Sequence, residues 1–122
     1  MQNEYNLLAT TDTDALIPYC ARHRLRYTAF SPLAGGLLTG KYRLGEAPPT
    51  GSRLAHARDI YAGYLNQQGF ALIDELRRTA DAEGQTMPEA ALRFVLDAAD
   101  VDGLIIAPRR AEHFADMGFA AQ

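Results

Sequence analysis

Residues 27–42 read Tyr27-Thr28-Ala29-Phe30-Ser31-Pro32-Leu33-Ala34-Gly35-Gly36-Leu37-Leu38-Thr39-Gly40-Lys41-Tyr42. The segment from Arg26 to Phe30 has strand character and must stop at Ser31-Pro32. Proline lacks a donor and biases the residue before it away from helix. Glycine at 35, 36 and 40 then permits backbone conformations and close approaches that a Cβ would block, and Lys41 brings positive charge. A strand whose carboxyl end opens into a glycine-rich, lysine-bearing loop is where α/β proteins place phosphate-bearing ligands.

Upstream, Glu4 to Leu8 reads as a short strand and Thr10 to Thr13 as a turn. A helix is predicted from Asp14 to His23, with Leu16, Ile17 and Cys20 at helical spacing, acid at its start and base at its end. Downstream, residues 31 to about 58 form a loop containing Pro48-Pro49 and Gly51, too long to be a mere connector. Phe70, Ile73, Leu76 and Ala80 mark an amphipathic helix closed by Gly84. Thr86-Met87-Pro88-Glu89 is a capping box that starts a helix through Ala98, with Ala91, Leu92, Val95 and Leu96 on its inner face. Leu104 to Ile106 reads as an all-apolar, buried parallel strand ended by Pro108, and Ala111 to Met117 as a last helix running out at Gly118. The order is α/β, with parallel strands near 3–8, 26–30 and 103–107 and helices between them. Three such strands leave two unpaired edges, which invite pairing with another chain.

The bulk properties narrow the function. In 122 residues, 48% are hydrophobic, enough for one domain or a piece of one. A net charge of −3 with mixed signs argues against a nucleic-acid binder. Arg22-His23-Arg24-Leu25-Arg26 reads as a solvated helix end. A single cysteine, Cys20, excludes an internal disulfide, suits a reducing cytoplasm and reads as a small buried apolar residue. No run is long enough to span a membrane, and MQNEYNLL lacks the regions of a signal peptide. It opens on a strand, as expected if an upstream half is absent. His23, His56 and His113 lack metal-ligand spacing, so no metal is expected. Asp12/Asp14 and Asp97/Asp100/Asp102 read as helix-end and turn residues.

Residues 27–42 resemble the seventh strand and following loop of the aldo-keto reductases. Gln2-Asn3-Glu4-Tyr5-Asn6-Leu7-Leu8 resembles the sixth strand of that family, and Gly103-Leu104-Ile105-Ile106-Ala107-Pro108-Arg109, followed by Glu112, the eighth. The three matches fall in the family's order. They imply a partial TIM barrel, the C-terminal half, as one incomplete domain over residues 1–122, since a whole (β/α)₈ barrel takes roughly 250 residues. Gly51-Ser52-Arg53 with Tyr61 and Tyr64 resembles the branch that includes aflatoxin-aldehyde reductases.

The resemblance implies a nicotinamide cofactor, NADP(H), and assigns residues to it. Gln2 matches the amide that binds the carboxamide, and Phe30 the aromatic on which the nicotinamide packs. Ser31, Pro32, Leu33 and Gly35 fall at the pyrophosphate loop, with Lys41 adding charge nearby. Pro108 shapes the turn before Arg109, which matches the basic residue on the adenosine 2′-phosphate, with Arg110 as the alternative reader. The adenosine segment reads Glu112-His113-Phe114-Ala115-Asp116-Met117, with His113 for the family's glutamine and Met117 for its asparagine. The family's catalytic Asp, Tyr, Lys and His precede the segment matching Gln2, so no catalytic residue is assigned. The implied function is the C-terminal part of an NADP(H)-dependent carbonyl reductase, without turnover of its own. The alternatives are a non-catalytic nucleotide- or partner-binding module, which could complement a separate N-terminal half or self-associate, or an inactive fragment.

Overall fold

A computed structural model describes residues 1–43, 46–47, 50, 62–108 and 110–118. Strands β1 (Gln2–Glu4), β2 (Thr28–Phe30) and β3 (Gly103–Leu104) form one parallel sheet in chain order, with β2 central. Gln2 pairs with Thr28 and Glu4 with Phe30, while Thr28 and Ala29 pair with Gly103 and Leu104. Helix α1 (Leu16–Arg22) connects the first two strands, and α2 (Gln67–Glu83) and α3 (Met87–Leu96) precede the third. Such helical crossovers are what parallel neighbours require. A short helix α4 (Glu112–Asp116) follows. The α/β architecture and its parallel strands match the reading of the sequence.

The strands are shorter than the predicted 3–8, 26–30 and 103–107, and side chains are the reason. Tyr5 N–H still donates to the Phe30 carbonyl (3.3 Å), but Asn6 then turns the chain by pairing with Ala9. At the other end of the sheet, Asp102 Oδ2 accepts from the Tyr27 N–H at 2.6 Å, so a carboxylate takes the place of a strand partner. Just past β3, Ile105 N–H makes a last bond to the Ala29 carbonyl (2.8 Å) before the chain leaves the sheet.

Two apolar clusters hold the layers together. Tyr5, Ile17, Cys20, Tyr27, Ala29 and Val95 pack between the sheet, α1 and α3. Ile17 and Cys20 come from successive turns of α1, and the Cys20 thiol is fully buried, as its spacing predicts. Helix α1 starts at Leu16 rather than Asp14, because Thr11–Thr13 forms a separate 3-10 turn before it. The second cluster joins Ala34, Leu37 and Leu38 to Phe70, Ile73, Leu76, Met87 and Ala90. Its helices carry the predicted caps at Gly84 and Thr86, and a further one at Asn66. Asn66 Oδ1 accepts from Gly69 N–H and starts α2 three residues before Phe70. Gly84 ends it at φ 67°, with the Gln85 N–H on the Ala80 carbonyl (2.9 Å). Thr86 Oγ1 accepts from Glu89 N–H to open α3.

Several expectations need correction. The loop from residue 31 is not open throughout: Ala34–Thr39 is a 3-10 segment whose Ala34, Leu37 and Leu38 are buried at i, i+3, i+4 spacing. Residues 44–45, 48–49 and 51–61, with Gly51-Ser52-Arg53 and Tyr61, lie outside the described residues. Helix α3 stops at Leu96, which is exposed rather than inward. β3 is not buried on both faces. Ile105 is 43% exposed and Phe30 39%. The register places them side by side, on the sheet face opposite Ala29, where no described element packs. No described helix is long and apolar enough to cross a membrane.

One half-buried carboxylate ties the sheet to the turn before α1. Asp12 Oδ2 accepts from the Tyr27 hydroxyl at 2.7 Å and from Asn3 Nδ2 at 2.6 Å. Burial, then the bond to Asp12, raises the Tyr27 pKa well above its ordinary value. The folded state therefore holds this proton more tightly than the unfolded chain, whose tyrosine titrates near pH 10. The resulting stability is complete below about pH 10 and is lost as pH rises toward the folded value. Denaturant melts across alkaline pH should show this decline, and Tyr27→Phe should flatten it. An equal decline in both chains would remove Tyr27 as its cause.

Candidate functional site

The site begins where β2 runs out. Ser31 turns left-handed at φ 52°, Leu33 returns to φ −99°, and Ala34 (50°), Gly35 (66°) and Gly36 (100°) are left-handed again. The Ser31 carbonyl accepts from Ala34 N–H (3.0 Å), and the Leu33 carbonyl from both Gly36 and Leu38 N–H (3.0 and 3.1 Å). Thr39 Oγ1 donates to the Gly36 carbonyl (2.6 Å). Glycine is required at 36, where a Cβ would stand 3.0 Å from Lys41 Cε in a backbone region closed to most side chains. Lys41 thus folds back over the loop, with Nζ 5.5 Å from the centre of the Tyr42 ring.

The opposite wall comes from the chain after β3. Together the two walls enclose a cleft of about 490 Å³ at the carboxyl ends of β2 and β3. Phe30, Ser31, Pro32, Leu33, Gly35 and Lys41 line one side, and Pro108, Arg110 and His113 the other. Nine of the residues singled out from the sequence are therefore brought together. Gln2 is not among them. It lies on β1 opposite Thr28, two residues before the strand end that carries Phe30. Asp116 lines a neighbouring hollow of about 440 Å³, and its carbonyl accepts from the Thr86 hydroxyl. Arg109 lies outside the described residues.

Gly36, Ile105, Ile106 and Ala107, to which the sequence assigns no site role, also line the cleft, as does Met117 of the adenosine segment. Ile105 and Ile106 were hidden in an apolar run that reads as buried strand. Lys41, His113 and Met117 border both the cleft and the hollow, so the two adjoin at the lysine. Lys41 and Arg110 make the cleft cationic. Glu112 offsets Arg110 only across an exposed 3.4 Å ion pair, weak in water. A groove with an exposed aromatic ring at one end, a left-handed glycine loop in the middle and cations beyond suits a ligand with a flat ring and phosphates. Among the described residues, no three His, Cys, Asp or Glu side chains group so as to hold a metal ion.

The family model of the aldo/keto reductases matches residues 1–121. The chain belongs to the aldo-keto reductases. It is 35% identical over 98 residues to an aldo-keto reductase of Pseudocercospora fijiensis, which covers 77% of this chain and 33% of that protein. It is 34% identical over 94 residues to human aflatoxin B1 aldehyde reductase member 4, covering 69% of this chain and 28% of the relative. Its fold superposes on the structure of a glycerol dehydrogenase from Gluconobacter oxydans with a TM-score of 0.70 and 26% identity, over 94% of this chain and 35% of that one. The chain thus spans about a third of the length of the curated aldo-keto reductases it matches. Its three parallel strands are part of a barrel that has eight in full.

Proposed function

We propose that this chain is the C-terminal part of an NADP(H)-dependent aldo-keto reductase and supplies its cofactor groove. The observation that carries this reading is the meeting of Phe30, the Ser31–Gly36 loop, Lys41 and Arg110 around one cleft. Phe30 presents an exposed ring face for the nicotinamide. The Ser31–Gly36 backbone and the Lys41 ammonium receive the pyrophosphate. Arg110, with its neighbour Arg109, grips the adenosine 2′-phosphate through a guanidinium fork. When bound, the reduced nicotinamide supplies a hydride for an aldehyde or ketone. Gln2, across the sheet on β1, would reach the carboxamide end from the side of the uncovered face.

Reduction of a carbonyl also requires a proton donor for the forming alkoxide. The family's Asp, Tyr, Lys and His belong to segments before the one that Gln2 matches, so this chain binds and orients without completing the reaction. The exposed pair Phe30 and Ile105 and the outer edges of β1 and β3 support an N-terminal barrel half as the partner. The buried, unpaired Cys20 is in keeping with a reducing cytoplasm.

Fluorescence titration of the chain with NADPH and NADH tests the reading. NADPH is expected to bind at least about tenfold more tightly, a difference of about 1.4 kcal/mol. No saturable binding of either nucleotide would overturn the cofactor assignment. Reduction of an aromatic aldehyde clearly above the buffer rate would overturn the absence of turnover.

A further inference from the structure

The geometry points to Asn6 as a positioning residue that holds Ser31 in its left-handed conformation and so sets the corner at which strand β2 becomes the cleft. Asn6 is the fully buried polar side chain among the described residues. Its Nδ2 donates to the Ser31 carbonyl at 2.9 Å, and its Oδ1 accepts from the Leu8 N–H at 2.8 Å. Its own backbone is fixed by two bonds to Ala9, at 3.3 and 3.0 Å. The amide therefore sits in a rigid turn and reaches across to the neighbouring strand with a donor and an acceptor both engaged. A side chain with this much satisfied polarity in a buried place specifies one arrangement of its partners.

Its partner is the residue that needs holding. Ser31 lies at φ 52°, a region that a non-glycine residue occupies only when its surroundings impose it. Pro32 disfavours right-handed helix for Ser31, leaving an extended or a left-handed backbone. An extended Ser31 would prolong β2 and carry Leu33 and Gly35 away from Lys41. The left-handed one keeps Leu33, Gly35 and Lys41 on the lining of one cleft. The Ser31 carbonyl accepts from Asn6 Nδ2 on one side and from Ala34 N–H on the other, which fixes the plane of the peptide before Pro32. Asparagine suits the role because it supplies a donor and an acceptor at a reach that aspartate, serine and leucine do not reproduce. Asn6 lines neither the cleft nor the hollow, so it reaches the cleft through Ser31.

The nucleotide arm of this inference rests on the cofactor reading above, and the conformational arm does not. The test compares the parent chain with Asn6→Ser and with Asn6→Ser combined with Ser31→Gly. Asn6→Asp, which keeps the size and loses the donor, serves if the serine variant fails to fold. Carbon-13 chemical shifts of Ser31 report the sign of its φ without any nucleotide. Loss of the left-handed signature in the Asn6 variant is expected, and its retention would overturn the proposal. NADPH and NADH should both weaken by about the same factor, roughly tenfold, because the loop faces what the two share. The added glycine, free to adopt positive φ, should recover much of that loss. Unchanged affinity in the Asn6 variant, or no recovery with glycine, would overturn it as well. If the parent chain binds neither nucleotide, the cofactor reading fails and the Ser31 shifts alone decide for or against the role of Asn6.

Discussion

Arg110→Glu is expected to weaken NADPH binding by about a hundredfold while changing NADH binding by less than about threefold. A hydrogen-bonded charge pair contributes about 1.5–3 kcal/mol, and each tenfold in affinity is about 1.4 kcal/mol. Removing the guanidinium loses that interaction, and the new carboxylate repels a dianionic phosphate. Arg110 lines the cleft, and its bond to Glu112 is long and solvent-exposed, so little is lost from the fold itself. The effect should shrink as salt is added, since the groups are open to water. Arg109→Glu, measured alongside, divides the role between the two arginines. If Arg110→Glu lowers NADPH and NADH affinity equally, the side chain is not reading the 2′-phosphate.

Gly69→Ala should destabilise the chain by about 3 kcal/mol, on the order of a 10 °C loss in Tm. A Cβ at this position would run into the Tyr64 carbonyl oxygen, a backbone atom that cannot rotate away. The same residue donates its N–H to Asn66 Oδ1 at 2.8 Å, and the next residue, Phe70, is part of the core. Moving Gly69 away from Tyr64 therefore breaks the cap of α2 and shifts a core aromatic together. Gly103→Ala is the control. It has open space around it and should stay within about 0.5 kcal/mol of the parent. Thermal unfolding followed by circular dichroism separates the two, and equal stabilities would remove the steric argument.

The parts of the fold written in neighbouring residues could be read in advance. Gly84 and the Thr86–Glu89 box place the end of α2 and the start of α3, because capping involves atoms within four residues. Cys20 reads as buried because α1 has one apolar stripe. What could not be read depends on distant partners. The start of β2 is set by Asp102, 75 residues away, and the end of β1 by the Asn6 turn. The Ala34–Thr39 segment looks like open loop because its glycines mask three buried apolar residues whose partners lie on α2 and α3. Ile105 reads as core, yet it belongs to a sheet face on which no described element packs. For the site, residues flanking the two strand ends were legible through the family motifs. Gln2 was placed with them by motif alone, and the register sets it two residues short of the cleft.

The single thiol of the chain is sealed between α1 and the sheet. Any reagent that marks it must wait for that layer to part. Labelling of Cys20 is therefore a clock for opening, and it runs at the pace of the protein rather than of the chemistry whenever closing is slower than attack. With no other cysteine to confuse the signal, the chain carries its own gauge of how often sheet and helix separate. The same gauge would register whether a partner laid against the uncovered face keeps them together.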